Sequence, residues 1–143
     1  MQAWALDKLK TGVMFSLILN IILRRKKKRR ARKPSKDYKL NKERARVLVH
    51  ERLAFYNTHY NFIIGKVAIR NQRSRWGSCS KKGNLNFNYR IALLPVHLVD
   101  YIIVHELCHI AEFNHSKDFW VLVSKTIPDW RVLRAELKLI RLK

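Results

Sequence analysis

Val104-His105-Glu106-Leu107-Cys108-His109, followed six residues later by His115, is the stretch on which the reading of this chain turns. On a helix, positions i and i+4 share a face, so His105 and His109 can direct two imidazoles at one point. Zn²⁺ accepts nitrogen ligands at about 2.0–2.1 Å, and a catalytic site takes three protein ligands and keeps a fourth position for water. His115 is the natural third ligand, which gives one zinc per chain. Glu106, beside the first ligand, is placed to take a proton from the zinc-bound water, the role of the Glu in H-E-x-x-H.

Five matching letters on a core helix could arise by chance, but the surroundings argue otherwise. The flanking positions Val99, Ile102, Ile103, Val104, Leu107, Ile110 and Ala111 are apolar. Unpaired His and Glu are costly to bury among them unless a metal accounts for them. The third His stands ten positions after the first, the spacing of the long zincin signature. Where that signature carries Gly this chain has Glu112, so the turn must be made differently.

At 143 residues the chain is the size of one domain and can bury a real core without disulfides. Cys79 and Cys108 are too few for a disulfide framework, which points to a reducing, cytoplasmic setting, and Cys108 reads as core filling. Lys and Arg number 31 against 10 Asp and Glu, a net charge of +21 that implies an anionic partner or surface.

That excess is unevenly placed. Arg24 to Lys33 carries nine positive charges in ten residues and is closed by Pro34-Ser35, which reads as a solvated linker. Such a run can hold phosphates of nucleic acid or of an anionic membrane surface without reading sequence. Before it, Val13 to Leu23 is apolar, but a helix of that length rises only about 17 Å and cannot span a bilayer core of about 30 Å. A buried helix or strand is favoured there, with an interfacial anchor as the competing reading. The latter would make the protein peripheral at the membrane.

Downstream, Ala45, Leu48, Val49, Leu53 and Phe55/Tyr56 recur at helical spacing and predict an amphipathic helix from Asn41 to Tyr56. His50 falls on its charged side and His59 in the loop that follows, both as surface histidines. Val67–Arg70 reads as a strand. Arg75 to Ser80, a turn at Lys81-Lys82-Gly83-Asn84, and the alternating Leu85 to Arg90 predict a β-hairpin. The zinc helix is expected from Val96, after Pro95, to Phe113, with His97 in a capping or surface role. Ser116 is placed to cap the next helix, and a last amphipathic helix is expected from Trp130 to Leu142 after Ile127-Pro128-Asp129.

Taken together, Arg75-Trp76-Gly77-Ser78-Cys79-Ser80, Asn88-Tyr89-Arg90, Tyr101 to His109 and Asn114 to Trp120 resemble the YgjP-like (SprT-related) family of zinc metallopeptidases, over roughly Lys42 to Trp130. The resemblance implies an α+β, compact zincin-like domain, with a small antiparallel sheet or hairpin packed on the active-site helix and flanking helices. It also implies His105, His109 and His115 on zinc and Glu106 as general base. Residues 1–35, an apolar segment and polybasic linker, show no such match, and residues 36–143 form the metallopeptidase domain. Cys108 stands where the family usually has a small residue, a slight change of core volume.

The expected function is hydrolysis of peptide bonds in a protein or peptide substrate, by Glu106-assisted attack of zinc-bound water. The hairpin from Arg75 to Arg90 is the candidate strand for holding the substrate backbone. Tyr101 and Arg90 are nominated for oxyanion stabilisation. Trp76 is a candidate for substrate contact, though a packing corner is the favoured reading. The alternative is a non-catalytic nucleic-acid- or membrane-surface-binding module with a closed structural zinc site, in which Cys79 would be the fourth ligand.

Overall fold

The computed structural model describes residues 36–140 and 142. The apolar run 13–23, the basic run 24–33 and the reading of residues 1–35 as a separate segment lie outside the described residues.

Helix α1 (Lys36–Tyr60) buries Asn41, Ala45, Val49, Leu53 and Tyr56, steps of four and three that lay one stripe along the helix. It outruns the predicted Asn41–Tyr56 at both ends, so His59 lies in the helix and not in a loop. No Gly or Pro interrupts it, and Asp37 in its first turn suits the helix dipole. Its end is made by asparagines. Asn61 takes a left-handed φ of 53°, its N–H donates to the Asn57 carbonyl at 2.8 Å, and the Asn57 amide exchanges two 3.0 Å bonds with the Phe62 backbone.

Strands β1 (Val67–Arg70), β2 (Gly77–Cys79) and β3 (Leu85–Asn88) form a sheet in the order β1-β3-β2. The predicted hairpin is present: β2 and β3 are antiparallel, with Gly77 opposite Phe87 and Cys79 opposite Leu85. The tight turn is closed by Gly83 N–H to Ser80 O at 2.9 Å, with Gly83 at φ 69°. β1 joins the other side of β3 in parallel, Val67 opposite Leu85. The sheet is therefore mixed and not wholly antiparallel, because the hairpin itself serves as the crossover between the parallel pair.

The second hairpin strand stops at Asn88 and passes into a 3₁₀ turn, Tyr89–Leu93. Asn88 is fully buried. Its Nδ2 donates to the carbonyls of Gln72 (2.8 Å) and Arg75 (3.1 Å). Its Oδ1 accepts from Arg90 N–H at 3.2 Å. One side chain thus starts the turn and pins the loop leading into β2.

Helix α2 (Val96–Cys108) is buried along nearly its whole length, from Leu98 to Val104 and again from Glu106 to Cys108. A helix apolar all round must be covered all round. α1, β2, α3 (Lys117–Ser124) and α4 (Trp130–Leu139) all contact it. Asp100, on the α1 side, forms a two-pronged ion pair with Arg52, including Nη2 to Oδ2 at 2.7 Å. The core is a single cluster centred on Leu85, Phe87, Ile91, Leu98, Ile103, Leu107 and Phe119. The expected α+β class, a small sheet packed on the active-site helix with flanking helices, is what the chain adopts.

Candidate metal centre and active-site cleft

The helix that carries His105 and Glu106 ends at Cys108, five residues short of the predicted Phe113. Beyond it the chain tightens, with Ile110 N–H to Leu107 O at 3.0 Å and Ala111 N–H to Cys108 O at 3.1 Å. His109 closes the turn: its Nδ1 lies 2.9 Å from the Glu112 carbonyl. This replaces the glycine turn of the long signature, since the only left-handed non-glycine among the described residues is Asn61. The ring bond fixes the tautomer of His109, with Nδ1–H as donor and the Nε2 lone pair free for a ligand.

His115 is brought back to the helix by the start of α3. Ser116 caps it, its Oγ accepting from Phe119 N–H at 3.3 Å, as the sequence predicts. Phe119 then slots between the three rings, at centroid distances of 5.0, 4.5 and 4.9 Å from His105, His109 and His115. The local chain is built to present imidazoles.

One ring nitrogen from each of His105, His109 and His115 lies within 4.8 Å of the others. Nε2 of His105 and Nε2 of His115 are 3.1 Å apart. Tetrahedral zinc with nitrogen ligands at about 2.0–2.1 Å would set such an edge at about 3.3 Å. His105 Nδ1 is buried without a partner, so the ring gains nothing there as an ordinary hydrogen-bonded core histidine. Burial first, and then the charges of His109, His115 and Arg134, push His105 down to about 3. His115 is lowered by the same kinds of cause. Neutral imidazole is the metal-binding form, so the donor set fits a metal ion.

Glu106 is buried beside this cluster, and desolvation, opposed by the charge of Arg75, pushes its carboxyl up to about 8. It lines a cavity of about 140 Å³ together with Trp76, Gly77, Tyr101, Ile102, His105 and Leu137. Gly77 is there of necessity: a Cβ at that position would fall 2.5 Å from Glu106 Cγ and 2.6 Å from its Oε1.

The nominated residues divide. Tyr101 and Trp76 line the cavity, and burial holds the Tyr101 phenol up at about 12, protonated and able to donate. Arg90 stacks on the Tyr89 ring at 4.6 Å and reaches Asn71 Oδ1 at 3.2 Å, away from the cavity lining. Cys79, the fourth ligand of the closed-site alternative, is not in the histidine group, and its thiol donates to the Ser80 carbonyl at 3.4 Å. His97 pairs with Glu136 at 3.0 Å on the surface, and His50 and His59 are exposed.

Sequence reasoning missed Leu137 and Arg134. Both lie on α4, whose amphipathic spacing announces a packed helix but not what it packs over. Arg134 sits over the Trp120 ring at 5.2 Å, and Trp120 in turn faces His115 at 5.6 Å and stacks on Trp130 at 3.8 Å.

Known structures share this fold. The chain is similar to the metallopeptidase zymogen abylysin of Pyrococcus abyssi, at 27% identity and a TM-score of 0.58 over 65% of this chain and 96% of that one. It is also similar to the metallopeptidase zymogen jannalysin of Methanocaldococcus jannaschii, at 27% identity and a TM-score of 0.50 over 67% of this chain and 97% of that one. No curated protein matches. The profile of the YgjP-like metallopeptidase domain covers residues 8–139, starting well before the stretch Lys42–Trp130 that carries the motifs, and the chain belongs to that metallopeptidase family.

Proposed function

We propose that this metallopeptidase is a zinc enzyme in which His105, His109 and His115 hold the metal and Glu106 is the general base. The observation that carries the reading is the convergence of three imidazoles beside a buried carboxyl group that opens on a cavity. When bound, zinc supplies positive charge that acidifies the attacking water and polarises the scissile carbonyl.

The remaining work falls to the chain. Glu106 takes the proton of the attacking water on its carboxylate and later delivers it to the leaving amine. Arg75, the charge that opposes desolvation at Glu106, favours the ionised form that this role needs. The phenol of Tyr101 is the donor for the oxyanion as it develops on the substrate carbonyl. β2 is an edge of the sheet, and the substrate backbone lies along it by strand addition, with Trp76 forming the wall of the cleft.

Replacing Glu106 with Gln tests this. The variant should keep stoichiometric zinc and its fold and lose about 10²–10⁴-fold in peptide hydrolysis. Turnover at the wild-type rate would sink the assignment. His115→Ala should weaken zinc affinity sharply, and unchanged affinity would remove it from the ligand set.

No helix among the described residues is long and apolar enough to cross a membrane. For the basic run Arg24–Lys33 we propose a polyanion-binding tether that concentrates the enzyme at nucleic acid or anionic lipid and takes no part in catalysis. The full chain should bind DNA or anionic vesicles with a steep salt dependence, roughly −0.9 in log K per phosphate contact on duplex DNA, and a chain beginning at Lys36 should not. Equal binding by both would reduce the run to a solvated linker.

A further inference from the structure

Two exposed arginines stand beside residues that line the cleft, Arg75 next to Trp76 and Arg134 on the helix of Leu137, and neither has a carboxylate partner among the described residues. The ion pairs there are Arg46 with Glu43, Arg52 with Asp100, and His97 with Glu136. Arg75 immediately precedes the cavity-lining Trp76 and Gly77. Its backbone is anchored by the 3.1 Å bond from Asn88 Nδ2 to its carbonyl, so its side chain projects from a fixed point. Arg134 stands one turn before the cavity-lining Leu137, on the same face of α4. Its guanidinium rests on Trp120, next to the His115 ring.

The segment that carries the sheet has the same sign. From residue 53 to 99 the chain contains seven Lys and Arg and no Asp or Glu. Glu106 is the only carboxylate lining the cavity, and it is buried. Unpaired cations at the mouth of a cleft raise the local concentration of anionic groups and reject cationic ones, so they select in both directions. The cavity beside them has apolar walls, Trp76, Tyr101, Ile102 and Leu137, and is of side-chain size.

We propose that the cleft selects peptides with acidic side chains beside the scissile bond, recognised by Arg75 on the strand side and Arg134 on the helix side. This rests on the peptidase reading above, and the test separates the two. Two fluorogenic peptides, identical except for Glu or Lys on each side of the scissile bond, are compared as substrates of the zinc-loaded full chain. The same peptides are then compared as ligands of the full-length Glu106→Gln variant by fluorescence anisotropy.

The Glu peptide should lead by about ten- to a hundredfold in kcat/KM and in affinity at low ionic strength, with the gap closing as salt is added. Arg75→Glu with Arg134→Glu should reverse the order. A control with the same net charge, Lys39→Glu with Arg44→Glu on the exposed side of α1, should preserve it. If the reversed pair does not fold, Arg75→Gln with Arg134→Gln should abolish the preference. Three results would overturn the proposal: equal handling of the two peptides by the wild type, loss of preference in the control as large as in the paired variant, or a duplex oligonucleotide whose binding depends on the two arginines while the peptide preference does not. Selective binding without hydrolysis of either peptide would sink the peptidase reading and leave the charge selection standing.

Discussion

Glu106 owes its position to a residue 29 places earlier in the chain. Gly77 presses bare backbone against the carboxylate, and any Cβ there meets Glu106 Cγ and Oε1 at 2.5 and 2.6 Å, closer than atoms tolerate. Gly77→Ala should therefore keep zinc, whose three proposed ligands it does not touch, and lower kcat by up to about 10²-fold with little change in KM, the cost of misplacing a reacting group by about 1 Å. Metal analysis beside steady-state kinetics checks this, and a variant that loses zinc would show that the clash spreads to the histidines. The histidines and Glu106 were legible from spacing because a helix makes neighbours of i and i+4. Gly77 was not, since its reason is a side chain from another element and the local letters suggest only a turn. Arg134 was hidden in the same way, as an ordinary charge on the polar face of an amphipathic helix.

At the level of elements, local chemistry was enough wherever a signal was local. β1 has the predicted bounds, the hairpin turns at Gly83, Ser116 caps α3, and Pro128 separates the last two helices. What periodicity could not supply was pairing and termination. Alternation carries no information on whether β1 runs with or against β3, and the apolar residues after Cys108 continue a helical pattern that the His109–Glu112 bond cuts short. Likewise the Leu85–Arg90 alternation hides the break at Asn88, where one buried amide serves three backbone groups. Asn88→Ala should leave those groups unpaired and cost about 1–3 kcal/mol, measured by urea denaturation. Asn88→Asp should not restore it, because a carboxylate cannot donate to the Gln72 and Arg75 carbonyls. Full stability in that variant would show that the loop is held by other means.

For the molecule as a whole, the proposed zinc site predicts a link between metal and fold. Three imidazoles forced together are an unfavourable cluster without a cation. Zinc at about 100 times its dissociation constant should add about 2.7 kcal/mol to unfolding, and a chelator should remove it, read as a shift in Tm. Protonation of His105 should act in the same direction as the chelator. His105 titrates near 3 in the folded chain against an ordinary 6.5, so the unfolded chain holds more protons between those values. The contribution of His105 is complete above about 6.5 and declines as pH falls through that window, while Glu106, held up to about 8 against an ordinary 4.5, works in the opposite sense. With the opposing carboxyl removed by Glu106→Gln, a metal-free form that gains stability on acidification from 6.5 to 5 would contradict the burial of His105.

The Trp120–Trp130 stack, 3.8 Å apart and within 13° of parallel, makes α3 and α4 a coupled pair of chromophores with one member against a candidate ligand ring. Such a pair absorbs as a unit, so its near-ultraviolet dichroism depends on the two indoles staying in register. Its emission is exposed to quenching by whatever sits on His115. The protein therefore carries its own spectroscopic gauge: seating of an ion on the imidazoles should alter the emission while leaving the dichroic band, and peeling of α4 should erase the band first.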